Sequence, residues 1–277
     1  MIAIRNLNLG QIVTSKNIII DIGNEGCWIK FCEQMKFYVE HYKALLGKSV
    51  RLVTPKVTQG HVQTVVDCIV ELLKLIDVEA IFINDYGVLY SFNKTGIKLN
   101  LIYGRLLVFC QEYELGYKTR YCDEEDINVI KSWSCPSYVY SNKIELLREM
   151  QFTGVELCPS DSVKDLLHYD KAPDFSIHMH YDSCIGACGR SCTTARNEKK
   201  PIFQCTELCN SVHSIKLDSM YGQNLKMDKQ DIEHFENNIL VGNMLYFITK
   251  PYNFPYELCA DTIYDNRFDK IEEFLCK

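Results

Sequence analysis

No apolar run in the sequence approaches the roughly 20 residues that a helix needs to span a bilayer, so no membrane-spanning segment is expected. The opening MIAIRNLNLG lacks a basic stretch followed by an apolar core, and a secretory leader is not expected either. Basic residues are in short supply: 30 lysines and arginines stand against 36 aspartates and glutamates, giving a formal charge of −6 and a pI near 5.7. That balance gives a nucleic-acid partner no support from charge, because neutralising a phosphate backbone needs a basic excess. Low-complexity tracts and repeats of solenoid period are missing. So are the HExxH motif of zinc proteases and a recognisable Ser-His-Asp arrangement. What remains is the expectation of a cytoplasmic, globular chain. Its 277 residues, 47% hydrophobic and 12% aromatic, hold enough apolar material for a proper core.

Sulfur is abundant. Five of the fourteen cysteines fall between residues 184 and 209. Cys184, Cys188 and Cys192 are spaced by four, which on a helix would place them on one face. A charged, proline-bearing insert (Asn197 to Pro201) suits a surface loop, and Cys205 and Cys209 follow it, again four apart. Small residues around the first group (Gly186, Ala187, Gly189, Ser191) allow close backbone approach to something bulky. A cytoplasmic setting keeps thiols reduced, which argues against a disulfide framework. Thiolates brought together need a soft cation, and zinc or an iron–sulfur cluster is the usual occupant. Buried thiols of no special role are the plainer alternative. Cys32, Cys68, Cys110, Cys122, Cys135, Cys259 and Cys276 are read in that plainer way.

Hydrophobic periodicity places strands at Ile18–Ile22, Val50–Val53, Ala80–Ile83, Lys98–Tyr103, Ser137–Tyr140, Gly154–Leu157 and Phe175–His180. Helical stripes lie between them, at Trp28–Leu46 with Gly47 as its stop and at 61–76, and a helix is expected at Asn142–Met150. Strands alternating with helices indicate parallel βα units. The expected fold class is α/β: a TIM-like (β/α) barrel, complete or distorted, over residues 1–210. Residues 211–277 form a small C-terminal extension completing or capping it. A doubly wound open sheet is the alternative. Barrel enzymes keep their chemistry at the carboxyl ends of the strands. Cys27, Asp85, Tyr86, Asn142, His180 and the cysteine stretch all fall there.

The stretch CTTAR (Cys192 to Arg196), with Cys205 thirteen residues after Cys192 and Cys209 four later, resembles the collagenase-like peptidase superfamily (peptidase family U32). Within it the likeness is to the UbiV-type iron–sulfur proteins of anaerobic ubiquinone biosynthesis. IIIDIGNEGC, a strand followed by Gly-x-x-x-Cys, matches the family's early ligand position and selects Cys27. YSNKIELLREMQFTGVELCPS resembles the family's Asn-containing helix and following strand. The likeness covers roughly residues 15 to 210 and is strongest at the cysteines. It implies a 4Fe-4S cluster on a barrel-like fold, held by Cys27, Cys192, Cys205 and Cys209. It further implies dioxygen-independent hydroxylation or a related modification of a small molecule, peptide or RNA, by this chain itself or in support of a UbiU-like partner that bears its own cluster. Peptidase activity is not expected. The departures are that Ser191 displaces Arg190 from the position before Cys192, and that Cys184 and Cys188 are additional thiols. CIGACGRSC also differs from the radical-SAM CxxxCxxC motif, its second interval being one residue too long.

Further candidates come from position. His178 and His180 alternate along a strand, so both face one side, as proton donors, substrate contacts or structural histidines. Asp85 and Tyr86 either line a pocket or form an ordinary turn. Arg196, and with it Asn142, are candidate substrate contacts, Arg196 through a bidentate bond to a carboxylate. The competing class is a non-catalytic interaction module with a structural zinc–cysteine site.

Overall fold

Strand β2 (Ile19–Gly23) is buried at every position, as a strand covered on both faces must be. The same holds for β4 (Ala80–Ile83), and nearly so for β3 (Ser49–Val53) and β5 (Asn100–Tyr103). This computed structural model describes residues 1–108, 146–159, 176–181, 183–189, 192, 199, 213–214, 238–248 and 255–268. With β1 (Ile2–Arg5), β6 (Phe152–Leu157), β7 (Ser176–His180) and β12 (Asp261–Asp265), these strands close an all-parallel barrel in the order β1-β12-β7-β6-β5-β4-β3-β2. The fold is therefore TIM-barrel-like, and its ring is closed rather than incomplete. Closure runs through β12, which pairs Ile2 with Thr262 on one side and His178 with Asp261 on the other.

Between β7 and β12 the chain builds a second, antiparallel sheet in the order β8-β11-β10-β9. Its strands are β8 (Ser183–Cys188), β9 (His213–Ser214), β10 (Asn238–Val241) and β11 (Met244–Ile248). Residue 210 thus separates β8 from the other strands of its sheet, and the last barrel strand lies beyond it. Cys184 and Cys188 sit on β8 and not on a helix. Opposite β11 the register shifts between Leu245 and Tyr246, leaving Gly186 as the extra residue of a bulge between the two cysteines.

Helices cover the barrel. α1 (Leu9–Thr14) starts with a capping box of Asn8 and Gln11. α2 (Trp28–Glu40) is shorter than its apolar stripe predicts, because the chain tightens into a 3-10 turn at Tyr42–Ala44 before Gly47. α3 (Val62–Leu73) buries Val65, Val66, Cys68, Ile69 and Leu72, and these meet Phe31, Cys32, Met35 and Tyr38 of α2 in one apolar cluster. Each such aliphatic side chain contributes about 1.5–3 kcal/mol on burial. α4 (Tyr86–Asn93) follows β4, and residues 146–149 are helical ahead of β6. The strand expected at Ser137–Tyr140 and the start of the helix expected at Asn142 lie outside the described residues. Among the described residues no helix is long and apolar enough to cross a membrane.

Candidate functional site

Inside the barrel the filling is part apolar and part charged. Ala3, Ile19, Val53, Ala80, Phe82, Ile102 and Ile263 form an apolar cluster of their own. Alternation points Arg5, Asp21, Arg51 and Asp261 of these strands inward too, with Glu156 of β6 and His178 and His180 of β7, and all are buried. Phe82 joins the two groups: the Arg51 guanidinium lies 4.7 Å from its ring centroid and that of Arg5 lies 5.4 Å away.

The charges are paired in chains. Arg51 Nε donates to Asp21 Oδ1 at 2.7 Å, and its Nη1 donates to Asp261 Oδ2 at 2.7 Å. His178 Nδ1 donates to the same Asp261 oxygen at 2.7 Å. Arg5 reaches Asp21 Oδ2 at 3.3 Å, Glu25 Oε2 at 3.1 Å and Glu156 Oε1 at 2.6 Å. Arg105 grips Glu25 with two donors, Nε to Oε2 at 2.9 Å and Nη2 to Oε1, while its backbone N–H donates to Glu156 Oε2 at 3.1 Å. Tyr246, from β11, donates to Glu25 Oε1 at 3.0 Å. Burial acts against the charge on Arg5, but Glu156, Glu25 and Asp21 outweigh it and raise the pKa. Glu25 and Glu156 are likewise opposed by burial, yet held below the usual carboxylate range, chiefly by Arg105 and by Arg5 respectively.

His180 behaves differently. Burial, then the neighbouring Arg105, pushes it down to about 4, so it is neutral near pH 7. Its Nε2–H therefore donates to Glu156 Oε1 at 2.6 Å, leaving Nδ1 with a bare lone pair. Among the described residues that Nδ1, Arg51 Nη2 and Asp261 Oδ1 have no hydrogen-bond partner although all are buried. A base, a donor and an acceptor thus stand ready in the lumen for a polar guest or for water.

Above this network lies the turn that carries Cys27. Gly23 ends β2 with φ +95°, and a Cβ there would stand 2.5 Å from Val53 O, so only glycine fits. Asn24 Oδ1 then accepts the Cys27 N–H at 2.8 Å. That turn sends Glu25 into the lumen and leaves Cys27, half-buried, at the N-cap of α2. Orphan N–H groups at a helix start favour nearby negative charge. One side chain ties this turn to the second sheet. Asn243 follows Gly242 (φ +62°) in the two-residue hairpin between β10 and β11, and its Nδ2 donates to Gly26 O and Gly189 O, each at 2.7 Å. Cys188 Sγ lies 4.0 Å from the same nitrogen, and burial pushes that thiol up to about 12. Cys192 is three residues beyond Gly189, a reach of at most roughly 11 Å.

Two more thiols stand nearby. Cys158 is the first residue past β6, and Arg105 Nη1 lies 4.0 Å from its sulfur while donating to Ser183 O at 3.1 Å. Cys184 hydrogen-bonds to Cys158, which is pushed down to about 7 by that bond first and by Arg105 next, against the effect of burial.

The structure thus brings Cys27, His178 and His180 to this end or to the lumen below it. Asp85 serves the helical layer instead, its carboxylate capping α4 by accepting from Gly87 N at 2.7 Å and Val88 N at 3.3 Å, and also holding Val57 N at 3.2 Å. Tyr86 is largely exposed and its hydroxyl meets that of Tyr103 at 2.8 Å, away from the ion network. Arg196, Asn142, Cys205 and Cys209 lie outside the described residues. Among the described residues no group of three or more His, Cys, Asp or Glu is arranged to hold a metal, two of the four expected ligands being outside that set. Sequence reasoning missed Arg5, Asp21, Glu25, Arg51, Arg105, Glu156, Asp261, Asn243 and Cys158. The available signal was a charge inside an otherwise apolar strand, as in IIIDIG, VRLV and GVEL, which demands a buried partner. In comparisons with known proteins no family model, no curated protein and no solved structure matches the chain.

Proposed function

We infer that the chain is a 4Fe-4S protein with its cluster at the barrel mouth, held by Cys27, Cys192, Cys205 and Cys209, and that it serves a dioxygen-independent hydroxylation or related modification of a small molecule, peptide or RNA. The single observation that carries this reading is the Asn243 bridge, because it fastens the turn bearing Cys27 to the strand end from which Cys192 follows. The donor set suits the group: four thiolates are its usual complement. When bound, the cluster supplies one-electron transfer. The chain's own part lies below it. His180 Nδ1 accepts a proton or hydrogen bond from a guest in the lumen, Glu156 fixes the tautomer from the other side, and Arg5 and Arg105 hold Glu156 ionised. A buried ion network costs desolvation that an apolar filling would avoid, which favours a functional reason for keeping it. The partner class is a second cluster-bearing subunit of UbiU type, in the cytoplasm.

Anaerobic purification tests the reading. Brown protein with about four irons per chain is expected, with the colour lost in Cys192→Ala and kept in Cys68→Ala. Colourless protein carrying about one zinc would instead indicate a structural zinc site in an interaction module and end the cluster assignment.

A further inference from the structure

We propose that Cys158 and Cys184 form a thiol–disulfide exchange site at the barrel mouth that takes low-molecular-weight disulfides of the glutathione type. The site is independent of the cluster reading, since neither residue belongs to the four cluster ligands.

Geometry assigns the roles. Cys158 sits half-buried at the carboxyl end of β6, where barrel loops face solvent, whereas Cys184 is buried on β8 at 9% exposure. Cys158 is therefore the attacking sulfur and Cys184 the resolving one. The Cys184 S–H donates to the carbonyl of Pro159, the residue after Cys158, at 4.0 Å, which sets the two thiols side by side, and Cys184 is the first cause of the shift at Cys158. Arg105 supplies the positive charge. Its Nη1 faces the Cys158 sulfur at 4.0 Å, and the same nitrogen holds Ser183 O at 3.1 Å, fixing the start of β8 against the end of β6. Arg105 is itself locked by its two donors on Glu25. A partly exposed thiol with a fixed cation beside it and a second thiol as neighbour meets the conditions that favour thiolate at neutral pH.

The exchange balances without a further reactant. The Cys158 thiolate attacks one sulfur of the disulfide RSSR, the S–S bond breaks, and RS⁻ leaves and takes a proton. Cys184 then loses its proton and its sulfur attacks the Cys158 sulfur of the mixed disulfide, expelling a second RS⁻ that is protonated in turn. Two protein thiols are oxidised by two electrons, and RSSR is reduced to two RSH. The bond formed links β6 to β8.

Anaerobically purified full-length protein is equilibrated with glutathione disulfide, quenched with acid, alkylated under denaturing conditions and mapped by mass spectrometry. A Cys158–Cys184 cross-linked peptide is expected at a dose that leaves Cys32 and Cys68 as thiols. Cys184→Ser should accumulate glutathione on Cys158, while Cys158→Ser should leave Cys184 unmodified. On the wild-type protein, alkylation of Cys158 should be half-maximal near pH 7, a readout that needs no variant to fold. Recovery of Cys158 as a thiol, its pairing with a different cysteine, or equal adducts in the two serine variants would overturn the proposal. Absence of iron from the purified protein, with the cross-link still forming, would count against the cluster reading alone.

Discussion

Two pairs of neighbouring thiols in this chain sit in opposite surroundings. Cys32 and Cys68 meet between α2 and α3 inside the apolar layer, and burial, then the contact with Cys68, pushes Cys32 up to about 12. Cys158 and Cys184 meet at the barrel mouth beside Arg105, and there the hydrogen bond from Cys184 and then the guanidinium push Cys158 down to about 7. The sulfur chemistry is identical in the two places. What differs is the weight of burial, which leads at Cys32, and the presence beside Cys158 of one positive charge held in place by two carboxylate contacts. Of these two thiols, the one beside the lumen network is pushed towards the thiolate and the one between the helices is pushed towards the thiol.

The largest test of that contrast is Arg105→Ala. It removes both donors that Arg105 gives Glu25 and leaves that buried carboxylate to Arg5 and Tyr246, and loss of one partner from a buried ion pair costs about 3–5 kcal/mol. Urea denaturation should show a loss of that size, and alkylation of Cys158 should shift to higher pH while Cys32 stays unreactive. A loss within the range of surface substitutions would mean that the lumen charges do not depend on one another. The next effect is the acid limit of stability. His180 titrates at about 4 in the fold because of burial and Arg105, below the ordinary 6.5 of the unfolded chain. The unfolded state thus takes the proton first. Stability is complete above the unfolded value and falls as pH drops towards the folded one, by about 1.4 kcal/mol per pH unit and about 3 kcal/mol in all. Denaturant melts from neutral pH to about pH 4 should show this slope and should lose most of it in His180→Asn. Asp265, held down to about 2 against burial by Arg267, adds a further loss only at lower pH. The smallest effect belongs to the helical pair. Cys68→Ala should cost about 1–2 kcal/mol for the lost sulfur volume, with no change in thiol reactivity at the mouth. Any such change would erase the distinction between the two regions.

The legible part of the fold was the part whose burial is apolar. β2, β3, β4 and β5 show as short runs of Ile, Val and Leu, and α3 shows as a stripe, because their partners need only be greasy. β1 and β12 escaped notice for the opposite reason. IAIR and DTIYD place Arg5, Asp261 and Asp265 at inward positions, so charge at buried positions hides both strands. The same cause hid the candidate site. Arg51 reads as an interruption of VRLV until closure of the ring sets it between Asp21 and Asp261, which lie far apart in the chain. Cys27 could be found from its turn, and the two histidines from their alternation, because those signals are local. Asn243 could not, since its partners Gly26 and Gly189 lie far away along the chain.

The ring is sealed where Arg5 pairs with Asp265. During synthesis the first strand must therefore wait, one edge unsatisfied, until nearly all of the described chain has left the ribosome. Contacts of such wide separation close slowly, so a nascent chain exposes its mouth thiols before the walls around them exist. On the proposed function, a group bound at that mouth gains its full enclosure only once β12 has docked beside β1.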